Sequence, residues 1–340
     1  VSPAERYRAA GVDLDALDAI KQQIAESVRS TRTALAVGRL GAFGGMIRLP
    51  AGVSDPVLVL STDGVGTKLL VALRAGRHDS VGEDLVNHCV NDILVHGARP
   101  IGFLDYIAGS HVPAATVTAL VAGVARACRA HDMALLGGET AELPDLYEPG
   151  HYDLAGTIVG VVSEGQALHG DRVRVGDLLV GYASSGLHTN GYSLARRIVF
   201  EEQRLGLEDE VDELGGRVGD VLLAVHRSYW HAMAPVLDRL HAAAHITGGG
   251  IPGNLVRVLP AGCAALVRRE TWPVPAVFEF LKRRGGISDE EMVRVFNLGI
   301  GMIAIAPPEA VEAVRAAAAR VGVATWVIGE IQSGQGVQVT

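Results

Sequence analysis

The sequence predicts two α+β domains, and three observations carry that expectation. A chain of 340 residues exceeds the length at which one hydrophobic core usually keeps growing. Short apolar runs rich in strand formers alternate with stretches of three-and-four apolar spacing along the whole chain. The polar segment from Ser163 to Gly176, with Gly165, Gly170 and Gly176, interrupts this alternation, which then restarts. The expected domains are therefore 1–168 and 169–340.

The elements follow in order. Asp13 or Asp15 can cap a first helix whose apolar face is Leu14, Leu17, Ile20, Ile24 and Val28. A Gly-rich stretch, Gly38 to Gly45, leads to a strand over Pro56 to Ser61 that delivers the chain to Asp63. Val81 to His96 reads as a helix closed by Gly97, Ile101 to Ala108 as a strand, and Ala114 to His131 as an Ala/Val-rich helix. Met133 to Leu136 and Leu154 to Val162 are further strands, the second with glycines that permit close backbone approach. Beyond the boundary come a strand over Leu178 to Ala183, a Gly/Ser loop, and a helix over Ser193 to Arg204. Gly206 to Gly219 is an acidic excursion expected to be an exposed loop. Helices near His226 to His241, Val274 to Arg284 and Pro308 to Val321 alternate with strands near Ala264 to Val267, Ile300 to Ile305 and Thr325 to Ile331.

Composition narrows the function. Hydrophobic residues make up 49% of the chain, yet Gly, Pro or charge breaks every apolar run before membrane-spanning length. Cys89, Cys128 and Cys263 are few and widely spaced, which points to buried thiols in a reducing, cytoplasmic compartment rather than a disulfide framework or a thiolate metal cage. No charged-then-apolar leader opens the sequence, so secretion is not expected. A net charge of -8 without a basic run argues against nucleic acid as a partner. Lys21, Lys68 and Lys282 are the lysines among 30 basic residues. A lysine kept at 68, beside Asp63, Gly64, Gly66 and Thr67, suggests a need for a compact ammonium of the kind that meets a phosphate.

Several familiar motifs do not fit. A P-loop needs Gly-Lys followed by Ser or Thr, whereas here Thr67 precedes Lys68 and Leu69 follows. Gly248 to Gly253 satisfies the dinucleotide glycine pattern, with Glu270 where a ribose acid belongs, but Ala242 to Ile246 is a poor preceding strand and Pro252 sits inside the turn. Ser184 and Ser185 lack a nucleophile-elbow frame, and there is no His-Glu-x-x-His zinc helix. What remains is a set of carboxylates beside glycines: Asp63, the pair Asn91-Asp92, and Gly137-Gly138-Glu139-Thr140-Ala141-Glu142. With Lys68 they supply hard oxygen ligands, backbone N–H groups and one ammonium, the ingredients of a magnesium-triphosphate site.

Asp63-Gly-Val-Gly-Thr-Lys68, Cys89-Val-Asn-Asp92, Phe103-Leu-Asp-Tyr106, Gly137 to Glu142, Ser184-Ser-Gly-Leu-His-Thr-Asn-Gly-Tyr-Ser193, Thr247 to Gly250 and Phe296-Asn-Leu-Gly-Ile-Gly-Met302 occur in this order. Together they resemble the aminoimidazole ribonucleotide synthetases, the phosphoribosylformylglycinamidine cyclo-ligases of purine biosynthesis. The resemblance runs from about Tyr7 to the C-terminus. It implies ATP-driven closure of an imidazole ring, and a homodimer in which N-terminal strands of two subunits join in one β-barrel. A C-terminal mixed sheet covered by helices is also implied. By resemblance, Asp63, Asp92 and Glu139 hold Mg2+ directly or through water, with Glu142 behind them. Lys68, Thr67 and the Gly64/Gly66 backbone meet the ATP phosphates, with Asn91 and Gly138 in the same nucleotide site. Ser185, Gly186, His188, Thr189 and Asn190 contact the substrate, formylglycinamidine ribonucleotide, with His188 a proton-transfer candidate. Thr247, Gly248, Gly249 and Gly250 grip its 5-phosphate. Relatives commonly carry a lysine late in the first helix; Ile24-Ala25-Glu26 stands there, and that role is not transferred to Lys21. Thiamine-monophosphate kinase, selenophosphate synthetase and a non-catalytic ATP-binding maturation scaffold share much of the pattern and are the alternatives.

Overall fold

The computed structural model describes residues 14–39 and 41–340, and the side chains from residue 19 onward within that range. The cap expected at Asp13 or Asp15 lies outside what it describes, as does the start of the resemblance near Tyr7. Two compact units form. The first comprises residues 1–93 and 99–161, the second residues 94–98 and 162–340. The division thus falls ahead of the expected break after 168. The reason is local: Leu168 is buried, its N–H donates to the His96 carbonyl at 3.1 Å, and it packs in one core cluster with Leu94.

In the first unit, α1 (Leu14–Arg29) precedes a small hairpin of β1 (Ala36–Val37) and β2 (Met46–Ile47). Then come β3 (Pro56–Gly64), α2 (Lys68–Ala75), α3 (Asp79–Leu94), β4 (Arg99–Gly109), α4 (Ala114–Ala130), β5 (Ala134–Glu142) and β6 (Tyr152–Ser163). Four of these strands make a sheet in the order β3-β6-β4-β5, with β4 antiparallel to β6 and parallel to β5. Leu85, Cys89 and Ile93 recur at four-residue spacing on α3 and are fully buried. Gly156 explains how closely α3 lies on the sheet, since a Cβ there would collide with the Phe103 ring and approach Leu85. Strand β5 runs well past the expected Leu136, so Glu139 and Glu142 lie on a strand rather than in a loop. Helix α2 was not expected; it closes on Gly76 in the left-handed region.

The second unit holds β7 (Leu178–Ala183), α5 (Tyr192–Arg196), a hairpin of β8 (Glu210–Val211) and β9 (Gly216–Arg217), α6 (Val218–Leu222) and α7 (Trp230–Met233). After these come β10 (Ala242–His245), α8 (Gly250–Leu255), β11 (Cys263–Val267), α9 (Ala276–Gly285), α10 (Asp289–Val295), β12 (Ile300–Ala306), α11 (Val311–Arg320), β13 (Thr325–Ser333) and β14 (Gly336–Val339). Six strands form one sheet in the order β10-β12-β7-β13-β11-β14, antiparallel except for the β11–β14 pair. Strand β12 is buried throughout. Its Met302, Ala304 and Ala306 join Tyr182, Val314 and Ala318 on one face, while Ile303 and Ile305 join Leu179, Ile251 and Trp272 on the other. Burying each such isoleucine is worth about 1.5–3 kcal/mol.

Three expectations need correction here. Ala242 to Ile246 does contain a strand, β10; it pairs antiparallel with β12, which excludes a parallel dinucleotide fold on better grounds than sequence offered. The excursion from Gly206 to Gly219 contains the β8/β9 hairpin and leads into α6. The expected helix over His226 to His241 is α7 followed by a 3₁₀ turn at Ala234–Arg239, and His226 precedes it in a loop. All three cysteines are buried, as expected, and burial raises the Cys89 and Cys128 thiols. Among the described residues no helix is long and apolar enough to cross a membrane.

Candidate functional site

The first unit carries its polar chemistry at the end of β3 and along α3. Asp84, His88 and Asp92 stand at four-residue spacing on the helix and form a polar stripe beside its buried apolar positions. His88 Nε2 lies 2.8 Å from Asp63 Oδ2 and 3.9 Å from Asp92 Oδ2. Asp63 Oδ1 accepts the Gly64 N–H at 2.7 Å, and the Ser61 hydroxyl donates to Asp92 Oδ2 at 3.1 Å. Burial opposes a charge on His88, but the hydrogen bond to Asp63 and the charges of Asp92, Asp63 and Asp84 outweigh it and raise its pKa. His88 was missed from sequence, although its spacing from Asp84 and Asp92 was there to be read.

Lys68 behaves differently from expectation. Sequence suggests an ammonium presented to a phosphate; the structure buries it completely, with Nζ 2.7 Å from Asp84 Oδ2, itself fully buried. Burial pulls the Lys68 pKa down, against the pull of Asp84 in the other direction. Gly66 takes φ +61°, and Thr67 and Lys68 then turn into α2, whose first residue points into the unit.

The other acids stand apart. Asp63 is on edge strand β3 and Glu139 on the opposite edge strand β5, with β6 and β4 between them, a separation of roughly 14 Å at ordinary strand spacing. Glu139 Oε1 accepts the Thr140 N–H at 2.9 Å, and Glu142 accepts the His111 N–H. Gly138 is opposite Asp105, and a Cβ there would collide with the Asp105 carboxylate, so this glycine is needed for close strand packing. Asn91 is fully buried on α3. Asp63 and Asp92 thus face one imidazole, His88, while Glu139 and Glu142 stand on the opposite edge strand.

The second unit presents two loops. The segment from Ser184 to Gly191 leaves β7 and is held from below by Asn297, whose Nδ2 donates to the Gly186 carbonyl at 2.8 Å and whose Oδ1 accepts the Ser184 hydroxyl at 3.0 Å. Gly186 at φ +127° and His188 at φ +63° bend it back on itself. His188 is buried, and its Nε2 accepts the Ser185 N–H at 3.2 Å, which directs the ring inward rather than to solvent. Thr189 is buried as well, and Asn190 is half-buried. The second loop, Thr247 to Gly250, follows β10. Its carbonyls at Thr247, Gly248 and Gly250 all accept from Asn254 Nδ2, at 3.3, 3.2 and 2.8 Å. Gly250 donates its N–H to Thr247, so the turn's own hydrogen bonds use neither the Gly248 nor the Gly249 N–H. Gly249 takes φ +96°, and a Cβ on Gly250 would strike the Val293 carbonyl. An open cavity of about 520 Å³ borders Gly249, lined also by Ser288, Glu290, Glu291 and Arg294. Asn297 and Asn254 were not given these positioning roles from sequence, because their partners are carbonyls that no residue pattern identifies.

As a class, this is a two-unit α+β fold with two aspartates, one at a strand end and one on a helix, facing a single histidine in one unit, and two glycine-bearing loops in the other. Residues 45–162 match the model of the AIR synthase related protein N-terminal domain, and residues 174–340 that of the C-terminal domain. The chain is 48% identical over 331 residues to a phosphoribosylformylglycinamidine cyclo-ligase from Sorangium cellulosum, covering 96% of this chain and 95% of that protein. Among solved structures, thiamine-monophosphate kinase from Stenotrophomonas maltophilia superimposes with a TM-score of 0.68 at 20% identity, covering 95% of each chain. Hydrogenase maturation protein HypE in complex with ATP superimposes with a TM-score of 0.64 at 20% identity, covering 92% of this chain and 86% of that one. These two likenesses establish the fold. The chain belongs to the AIR synthase related family.

Proposed function

We propose that this protein closes the imidazole ring of aminoimidazole ribonucleotide from formylglycinamidine ribonucleotide, using ATP and releasing ADP and phosphate. The observation that carries this reading is the near full-length identity to a cyclo-ligase. The formyl oxygen is a poor leaving group, so the γ-phosphoryl group is transferred to it. The amidine-side nitrogen then attacks the activated carbon, phosphate departs, and one proton is lost from nitrogen. Phosphoryl transfer of this kind depends mainly on positioning and charge neutralisation.

Asp63 and Asp92 offer hard carboxylate oxygens that are 43% and 23% exposed, a donor set that fits Mg2+. They would hold the ion, with Glu139 and Glu142 reaching it only through a bridging phosphate or water. The ion would neutralise triphosphate charge. Gly64, Gly66 and Thr67 would meet the phosphates by backbone N–H groups, with Asn91 and Gly138 shaping the same nucleotide site. Lys68 supports the reading less directly, because a phosphate contact would require it to leave Asp84. In the second unit, Ser185 to Asn190 would take the reacting part of the substrate, and Thr247 to Gly250 its 5-phosphate. His188 is the candidate proton carrier in that loop.

A homodimer also belongs to this reading. Val57, Leu58 and Leu60 on β3 are exposed, with Met46 and Leu49 before them, an apolar edge that a second copy would cover. A cytoplasmic location follows from the proposed pathway. The deciding experiment supplies purified protein with ATP, Mg2+ and formylglycinamidine ribonucleotide, and scores aminoimidazole ribonucleotide against ADP. One-to-one formation is expected. Transfer of phosphate to thiamine monophosphate without cyclisation would instead favour the kinase alternative, and ATP binding without turnover the scaffold.

A further inference from the structure

His226 lies outside the residues assigned so far, yet it touches one proposed substrate loop and the end of the strand that leads into the other. It is fully buried in the irregular segment before α7. Its Nδ1 is 3.3 Å from the Thr189 hydroxyl, and its Nε2 is 3.2 Å from Nε2 of His245. Thr189 belongs to the loop leaving β7, whereas His245 ends β10, two residues before Thr247. The His188 ring stacks on His226 with centroids 4.0 Å apart and planes at 21°. Near-parallel rings do not aim their in-plane lone pairs at a common point, so this trio does not read as a metal centre.

We propose that His226 is a positioning residue that ties the substrate loop 184–191 to the end of β10, from which the turn 247–250 leaves, through a hydrogen-bonded chain, Thr189–His226–His245. The inference rests on the substrate-loop reading above and adds a residue to it. Two nitrogens 3.2 Å apart share one proton, so one donates and the other accepts. If His226 carries its proton on Nδ1, it donates to Thr189 and accepts from His245. If the proton is on Nε2, it donates to His245 and accepts the Thr189 hydroxyl. The direction of the Thr189 hydroxyl and the donor state of His245 are thereby set together.

The segment itself is anchored without this chain. Ser185 Oγ donates to the Val225 carbonyl at 2.5 Å, Tyr192 Oη to Leu222 at 2.6 Å, and Tyr229 Oη to Ala183 at 3.0 Å. Replacing His226 should therefore disturb the bridge more than the backbone around it.

The test compares His226→Phe, His226→Asn and His226→Gln in the full-length protein. Phe keeps the flat ring against His188 and removes both hydrogen bonds. Asn can restore the Thr189 side, and Gln the His245 side. Loss of the bridge should lower kcat/KM for formylglycinamidine ribonucleotide by about 10- to 100-fold in the Phe variant, with smaller losses in the two amides. If the Phe variant matches or exceeds the amides, His226 is a packing residue and the proposal fails. A second measurement stands whether or not the variants fold: imidazole ¹H–¹⁵N spectra of the wild-type protein should show one protonated and one lone-pair Nε2 for the His226/His245 pair. Protons on both would overturn the bridge. Failure of the underlying reading looks different, since Gly249→Asp would then leave substrate KM unchanged while the spectra still showed the shared proton.

Discussion

Two glycine-bearing loops in this protein were expected to meet phosphate, and they are built on opposite principles. The loop from Asp63 to Lys68 contains charge of both signs, but its cation is withdrawn into the first unit and paired with Asp84 at 2.7 Å, leaving Asp63 partly exposed as its one acid. The turn from Thr247 to Gly250 contains no charge, and Asn254 occupies its carbonyls. One loop gives its lysine to the fold and keeps one carboxylate, Asp63, exposed. The other can offer backbone N–H groups. A lysine beside glycines therefore does not identify a phosphate contact, because burial with a carboxylate gives the same local sequence.

The largest expected effect breaks the first loop's internal pair. Lys68→Ala leaves a buried carboxylate unpaired and should cost about 3–5 kcal/mol of stability, read as a fall in the urea midpoint. Adding Asp84→Leu to a Lys68→Met background should recover most of that loss, since buried pairs replaced by apolar residues are often neutral. A cost below about 1 kcal/mol for Lys68→Ala would place the lysine among ordinary exposed pairs. Lys68→Arg is also expected to fail, because a planar guanidinium does not fit a site built for a compact ammonium.

Next in size is the metal side of the same loop. Asp92→Asn should leave the urea midpoint nearly unchanged while turnover at saturating Mg2+ falls by several kcal/mol of barrier. Normal turnover in the folded variant would remove Asp92 from the metal site.

The uncharged turn is tested by Gly249→Asp against Gly249→Asn. Both place a side chain at φ +96° and share the backbone strain, so their difference isolates charge. Asp should raise the substrate KM by a further tenfold or so over Asn, a difference of about 1.4 kcal/mol, while ATP still raises the melting temperature. Loss of the ATP shift with substrate KM kept would move this turn to the nucleotide side.

The smallest effect concerns His88. Its pKa is raised in the folded state, so its charged form contributes stability below its unfolded pKa near 6.5 and loses that contribution as pH rises through the higher folded value. Unfolding free energy measured in EDTA should therefore fall across that window in the wild type and fall less in His88→Asn. Equal slopes would mean that Asp63 and Asp92 do not hold a proton on His88.

Much of this was legible in the chain itself. Strands β7 and β12 and helix α4 stand almost where apolar period predicted, because each is stabilised by a continuous buried face whose spacing is written locally. The acidic pair was legible for a similar reason, since Asp63 ends a clear strand and Asp92 lies on a clear helix. The order of motifs along the chain sufficed to identify the family. Tertiary structure decided the rest. It turned Lys68 inward, because only the approach of α3 places Asp84 within reach. It set Glu139 across the sheet from Asp63, because strand order is not encoded in local period. It brought His226 to both Thr189 and His245, residues separated from it by long stretches of chain, through hydrogen bonds to atoms that no local pattern specifies. Periodicity records which face of an element is apolar; which polar groups then meet depends on how the layers are stacked.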